Sequence, residues 1–104
     1  MADPKQTLTP AQIEEAALAD WRQDGETLTA RFATGDFATG LDLVNRIGVE
    51  AEKADHHPDL TLTYPEVAVT LSSHDVGGIT SRDVELARLI SEHASTVRAA
   101  AVEG

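Results

Sequence analysis

Apolar positions along the chain change spacing several times, and each change marks an element. Ile13, Ala16, Ala17 and Leu18 follow a helical spacing behind Thr9-Pro10-Ala11-Gln12. There Thr9 can cap, Pro10 suits a first turn and Gln12 completes a capping box. A helix is predicted from about Pro10 to Asp20, behind a loose N-terminal arm over residues 1–8. Trp21-Arg22-Gln23 then leads into Asp24-Gly25, a dipeptide suited to the positive φ of a tight hairpin turn. Beyond it Leu28, Ala30 and Phe32 alternate with Thr27, Thr29 and Arg31, the period of a strand with one buried face. These segments predict a first β-hairpin.

Gly35 breaks that strand, Asp36 can cap, and Phe37, Leu41, Val44, Gly48 and Ala51 recur at spacings of four and three. This is the clearest amphipathic stripe in the chain and predicts a helix over Phe37 to Ala54. A second row, Leu43, Ile47 and Ala51, widens its apolar face. Pro58 disfavours helical geometry at His57, so the helix should end at or shortly before that point. Period two returns in Leu60, Leu62 and Tyr64, is interrupted at Pro65-Glu66, and resumes in Val67, Val69 and Leu71: a second hairpin. Gly77-Gly78 supplies a turn, and Thr80-Ser81-Arg82-Asp83 can form a capping box for a last helix, Ser81 to about Ala100. The order α-β-β-α-β-β-α predicts one α+β domain over residues 1–104, with three helices packed on one face of a four-stranded antiparallel sheet.

Composition narrows the function. Eighteen acidic against eight basic residues give a formal charge of −10, without the basic stripe that nucleic acid requires. Direct DNA or RNA binding is therefore not expected. With no cysteine the chain has no disulfide, thiolate nucleophile or sulfur-ligated metal site. No apolar run approaches the roughly 20 residues that span a bilayer, and the N-terminus lacks the apolar stretch of a signal peptide. A soluble cytoplasmic protein with no membrane association is expected.

Candidate chemistry centres on histidine, the side chain that exchanges protons near neutral pH. His56 and His57 stand where the chain enters the second hairpin and His74 where it leaves, 17 residues after His57. A hairpin returns to its starting edge, so the three should converge. Glu52, four residues before His56, would share a helix face with it and is expected to orient and tune that ring. Taken alone, the histidine pair reads as polarity at an exposed turn, Asp83 as a capping carboxylate, Tyr64 as a strand-end aromatic and Glu52 as a solvated helix residue. His93 lies on a polar face with no functional reading. Three imidazoles can bind zinc, but adjacent residues of extended chain point to opposite sides, so no metal site is expected.

Glu52, His56-His57-Pro58, Tyr64, His74 and Asp83 form a spaced pattern over 32 residues. That pattern resembles the signature of pterin-4a-carbinolamine dehydratases, also described as dimerisation cofactors of a homeodomain transcription factor. The flanks EAEKADHHP, VTLSSHDVGGIT and SRDVELARLI extend the resemblance, which covers most of the chain from Trp21 onward. It departs from animal members at Leu60, where they carry tryptophan, and at Val76, where they carry cysteine.

The resemblance implies an α+β sheet with three helices and the elimination of water from a 4a-hydroxytetrahydropterin, without a cofactor. By it, His56 and His74 would serve as acid/base groups on the 4a-hydroxyl, and His57 would bind substrate and assist as base. Glu52 would tune His56, and Asp83 would support the His74 side. The backbone around Pro58 and through Ser73, Asp75 and Val76 would hold the pterin ring together with the histidines, and Tyr64 would contact it. It further implies a homodimer or homotetramer and a link to an aromatic amino acid hydroxylase. The alternative is a non-catalytic dimerisation or chaperone module of the same fold, suggested by the wide apolar face of the second predicted helix.

Overall fold

Both hairpins predicted from period two are present and antiparallel. The computed structural model describes residues 3–102. Its elements are α1 (Pro10–Glu15), β1 (Arg22–Asp24), β2 (Thr27–Ala33), α2 (Phe37–Ala54), β3 (Asp59–Leu62), β4 (Glu66–Leu71), α3 (Ser81–Thr96) and β5 (Ala100–Ala101). The sheet runs β1-β2-β4-β3, with β5 also pairing β2. The two hairpins join through β2 and β4, where Leu28 faces Leu71, Ala30 faces Val69 and Phe32 faces Val67. All six are buried, which is why alternation was so clear in these strands.

Leu43 and Ile47 of α2 and Leu86, Ala87 and Ile90 of α3 complete the core over that face. Gly40 lets α2 lie close on the sheet, since a Cβ there would stand 2.6 Å from Leu62 Cδ1. The other face, where Thr29, Arg31, Ala68 and Thr70 point outward, is open and lines a groove of about 620 Å³. Arg31 and Glu66 pair across it through two contacts, 2.8 and 2.7 Å.

The sheet has five strands rather than four, because α3 stops at Thr96 instead of Ala100. Arg98 takes a left-handed conformation (φ 62°) and sends the chain to the free edge of β2. Val102 N–H then donates to Arg31 O at 2.8 Å. The first helix is likewise shorter than predicted: Ala17 (φ 54°) reverses the chain after Glu15. Leu8, in the segment expected to be a loose arm, donates its N–H to Ile79 O at 2.8 Å and packs against the core. Residues 1–2 of that arm lie outside the described residues. Among the described residues no helix is long and apolar enough to cross a membrane.

Candidate active site

The end of α2 sets the two adjacent histidines apart. Asp55 adopts the left-handed conformation (φ 49°, ψ 43°), and His56 N–H closes back onto Ala51 O at 3.1 Å. This reversal is the usual way a helix satisfies its last carbonyls. It also breaks the helical register between Glu52 and His56, so the expected pairing of those two does not form. Glu52 meets His57 instead, Oε2 to Nε2, on the exposed surface.

His56 turns inward to the N-terminus of α3. Its Nε2 lies 2.6 Å from Asp83 Oδ1, with the ring 9% and Asp83 0% exposed. Asp83 Oδ2 accepts from Ser73 Oγ at 2.7 Å and from Thr80 N–H at 2.9 Å. A carboxylate only accepts, so Nε2 of His56 carries the hydrogen in this bond. Among the described residues Nδ1 has no protein partner, and Thr34 Oγ1 is the only buried side-chain nitrogen or oxygen without one. Nδ1 therefore still reaches the outside, and it is the atom through which His56 can exchange a proton. Asp83 thus caps α3 as expected and reaches the His74 side only through Ser73, while its direct histidine partner is His56.

The exit of the hairpin arrives beside it. Asp59, at the start of β3, faces Thr70 near the end of β4, which brings His57-Pro58 next to Leu71–Ser73. Ser73 N–H donates to Gly78 O (2.8 Å) and Gly78 N–H to Ser73 O (3.3 Å), closing a tight loop around Gly77 (φ 67°). His74 opens that loop; it is exposed, and its ring makes no hydrogen bond to protein among the described residues. Asp75 pairs with Arg82 at 2.8 Å, and that hydrogen bond holds its carboxyl below the usual carboxylate range. Val76 N–H donates to Ser73 O at 3.1 Å, and both Pro58 and Val76 are half-buried.

Tyr64 is not brought to this cluster. It sits in the β3–β4 turn, 67% exposed, at the far end of the hairpin from His57. It stands six positions beyond Pro58, roughly 20 Å at the rise of a strand. The groove of about 620 Å³ also lies elsewhere, on the open sheet face, and contains none of the histidines. Sequence reasoning missed Thr80 and Arg82 as members of the cluster, although both lay in the capping motif of α3. It also missed the partner of His93, whose Nε2 lies 2.7 Å from Glu50 Oε2 and ties α3 to α2. Among the described residues no group of three or more His, Cys, Asp or Glu side chains is placed to hold a metal ion.

A family model described as pterin 4 alpha carbinolamine dehydratase matches residues 6–93, the whole histidine motif included. The chain belongs to that family. A pterin-4-alpha-carbinolamine dehydratase of Thermosynechococcus vestitus, so named provisionally, is 46% identical over 86 residues, 81% of this chain and 90% of its own. One from Thermomicrobium roseum, also named provisionally, is 37% identical over 92 residues, 82% of this chain and 99% of its own. The crystal structure of a transcriptional coactivator/pterin dehydratase from Brucella melitensis superposes with a TM-score of 0.81 at 33% identity, over 86% of this chain and 99% of that one. A pterin dehydratase-like protein described as a RuBisCO assembly factor in the alpha-carboxysome shares the fold, at TM-score 0.59 and 16% identity. One fold, then, carries names of more than one kind.

Proposed function

We propose that this protein is a 4a-hydroxytetrahydrobiopterin dehydratase, releasing water from 4a-hydroxytetrahydropterin to give quinonoid dihydropterin. The observation that carries this reading is the buried His56–Asp83 pair beside His74 in a chain of the pterin dehydratase family. In the reaction the C4a–O bond breaks and the hydroxyl leaves as water after accepting a proton. A ring N–H gives up its proton, and the freed electron pair forms the new C=N bond. No electrons leave the substrate, so two proton-exchanging groups suffice.

His56 works through Nδ1, because Nε2 is held by Asp83. His74, exposed and with no ring hydrogen bond to protein among the described residues, is the second group. One supplies the proton to the leaving hydroxyl while the other takes the ring proton, and solvent resets the pair. His57, oriented by Glu52, lies on the outer side and binds substrate. Pro58 and the Ser73–Val76 backbone line the opening. The reaction serves recycling of the pterin used by an aromatic amino acid hydroxylase in the cytoplasm, and the protein acts as a homodimer or homotetramer.

The test is dehydration of the carbinolamine followed by ultraviolet absorbance. His56→Ala is expected to lower kcat by about 10²-fold or more. Unchanged turnover removes His56 from the mechanism, and a wild-type protein with no turnover overturns the dehydratase reading. The second reading, a non-catalytic dimerisation or chaperone module, draws on α2, where Phe37 and Leu41 are 49% and 45% exposed one turn apart and Val49 is 56% exposed. Wild-type protein without turnover, whose assembly mass falls on Leu41→Asp, would favour it.

A further inference from the structure

The hydrogen bonds at Asp83 continue behind it, and their direction is fixed at both ends. Asp83 can only accept, so the single hydroxyl hydrogen of Ser73 goes to Oδ2 at 2.7 Å. Ser73 Oγ must then accept from Thr80 Oγ1, 2.8 Å away. Thr80 Oγ1 in turn accepts from Arg82, N–H at 3.2 Å and Nε–H at 3.3 Å. The chain thus runs one way, from the first turn of α3 through two hydroxyls to the carboxylate that holds His56. Ser73, Thr80 and Asp83 are 1%, 0% and 0% exposed. The Ser73 hydroxyl is therefore closed off from solvent, which leaves the backbone of Ser73–Val76, not this side chain, for the expected contact with the pterin.

We propose that Ser73 and Thr80 are positioning residues for the dehydration, holding Asp83 so that His56 keeps its hydrogen on Nε2 and presents Nδ1 to the substrate. The proposal rests on the dehydratase reading above. With both Oδ2 bonds in place, Asp83 has one oxygen left to face the ring, and the ring has one orientation that satisfies it. Removing the Ser73 hydroxyl leaves Oδ2 held by the Thr80 N–H alone, which loosens the carboxylate in front of the ring, and leaves the Thr80 hydroxyl without its acceptor. Because the backbone of Ser73 also closes the loop that opens with His74, one residue fixes the placement of both histidines.

Long-range proton–nitrogen spectra of the histidine rings in the full-length protein read the tautomer directly, and steady-state kinetics read the consequence. Wild type should show hydrogen on Nε2 of His56. Ser73→Ala should shift that ring toward a mixture containing the Nδ1–H form and lower kcat about tenfold, with KM little changed. Ser73→Thr, which restores a hydroxyl, should recover both signals. If Ser73→Ala does not fold, Thr80→Val keeps Ser73 but removes the hydroxyl that donates to it, and is expected to shift the tautomer in the same direction. An active wild type whose His56 tautomer and kcat are untouched by the folded variant overturns the positioning role alone. A wild type inactive in the assay overturns the dehydratase reading and, with it, positioning for that reaction.

Discussion

Replacing Asp83 with asparagine keeps the shape of the side chain but exchanges one acceptor for a donor. The Ser73 hydroxyl and the Thr80 N–H both point at Oδ2, so the asparagine oxygen must take that side and its NH₂ must face His56. Nε2 then has to accept, and the ring hydrogen moves to Nδ1, the atom proposed to exchange a proton with substrate. In stability terms three hydrogen bonds lose their charge assistance, worth about 1 kcal/mol each, or about 3 kcal/mol in all. Against the roughly 5–15 kcal/mol that holds an ordinary domain together, the fold should survive. Turnover should not, since misplacing the hydrogen of a catalytic histidine removes a factor of about 10²–10⁴. Urea unfolding would read the first number and the ultraviolet dehydration assay the second. A folded Asp83→Asn protein with turnover close to wild type would refute the assignment of Asp83 as the group that sets His56.

Other perturbations separate the site from the scaffold. Tyr64→Ala should leave both kcat and KM unchanged in the same assay, because the turn that carries Tyr64 lies at the far end of the hairpin. The hydrogen bond from His93 is the main cause that holds the Glu50 carboxyl below its ordinary range, helped by the charges of Lys53 and His93 and opposed by desolvation. A lowered folded-state value gives stability that is present above the unfolded carboxylate pKa and is lost as pH falls through the folded one. Glu50→Gln should therefore flatten the acid limb of urea midpoints measured from neutral pH downward, with the difference from wild type largest at neutral pH. Phe32, with no exposed surface and an edge-on contact to Trp21 at 6.1 Å, fills the centre of the core. Phe32→Ala should cost about 3–5 kcal/mol, read from the tryptophan fluorescence of the unfolding transition.

Much of the architecture was legible because the period of the apolar residues matched the faces they bury. Helix α2 has the predicted bounds because a sustained stripe is closed at one end by the Asp36 cap, whose carboxylate accepts from Thr39 N–H at 2.7 Å. Strands β2 and β4 were legible for the same reason, each alternating against one core. Strand β5 was not: two exposed alanines have no period, and the turn that delivers them sits at Arg98, a residue that gives no stop signal. The early end of α1 turns likewise on Ala17, where a glycine would have been the recognisable choice.

At the site, local sequence could name the groups but not their partners. Convergence of the hairpin ends follows from topology alone, and the capping motif at Thr80–Asp83 was visible as a spacing. The bond from His56 to Asp83 spans 27 residues and depends on which way the chain leaves α2. Spacing of four suggested Glu52 for His56, and only the conformation of Asp55 reassigns it. For the hydroxyl of Ser73 the sequence suggested no partner; its alternation into the protein beyond the end of β4 puts it behind the carboxylate.

The left-handed turn at Asp55 bears on how this protein could be engineered. A designer seeking a sturdier molecule would see an eighteen-residue helix ending on a poor residue and replace it with alanine or leucine to add another turn. That repair would carry His56 round with the lengthened helix, back toward Glu52 and away from Asp83. Glycine, with no Cβ to resist positive φ, is the substitution the position should accept. Selection for helix stability and selection for the buried pair therefore pull in opposite directions at a residue hydrogen-bonded to neither histidine ring.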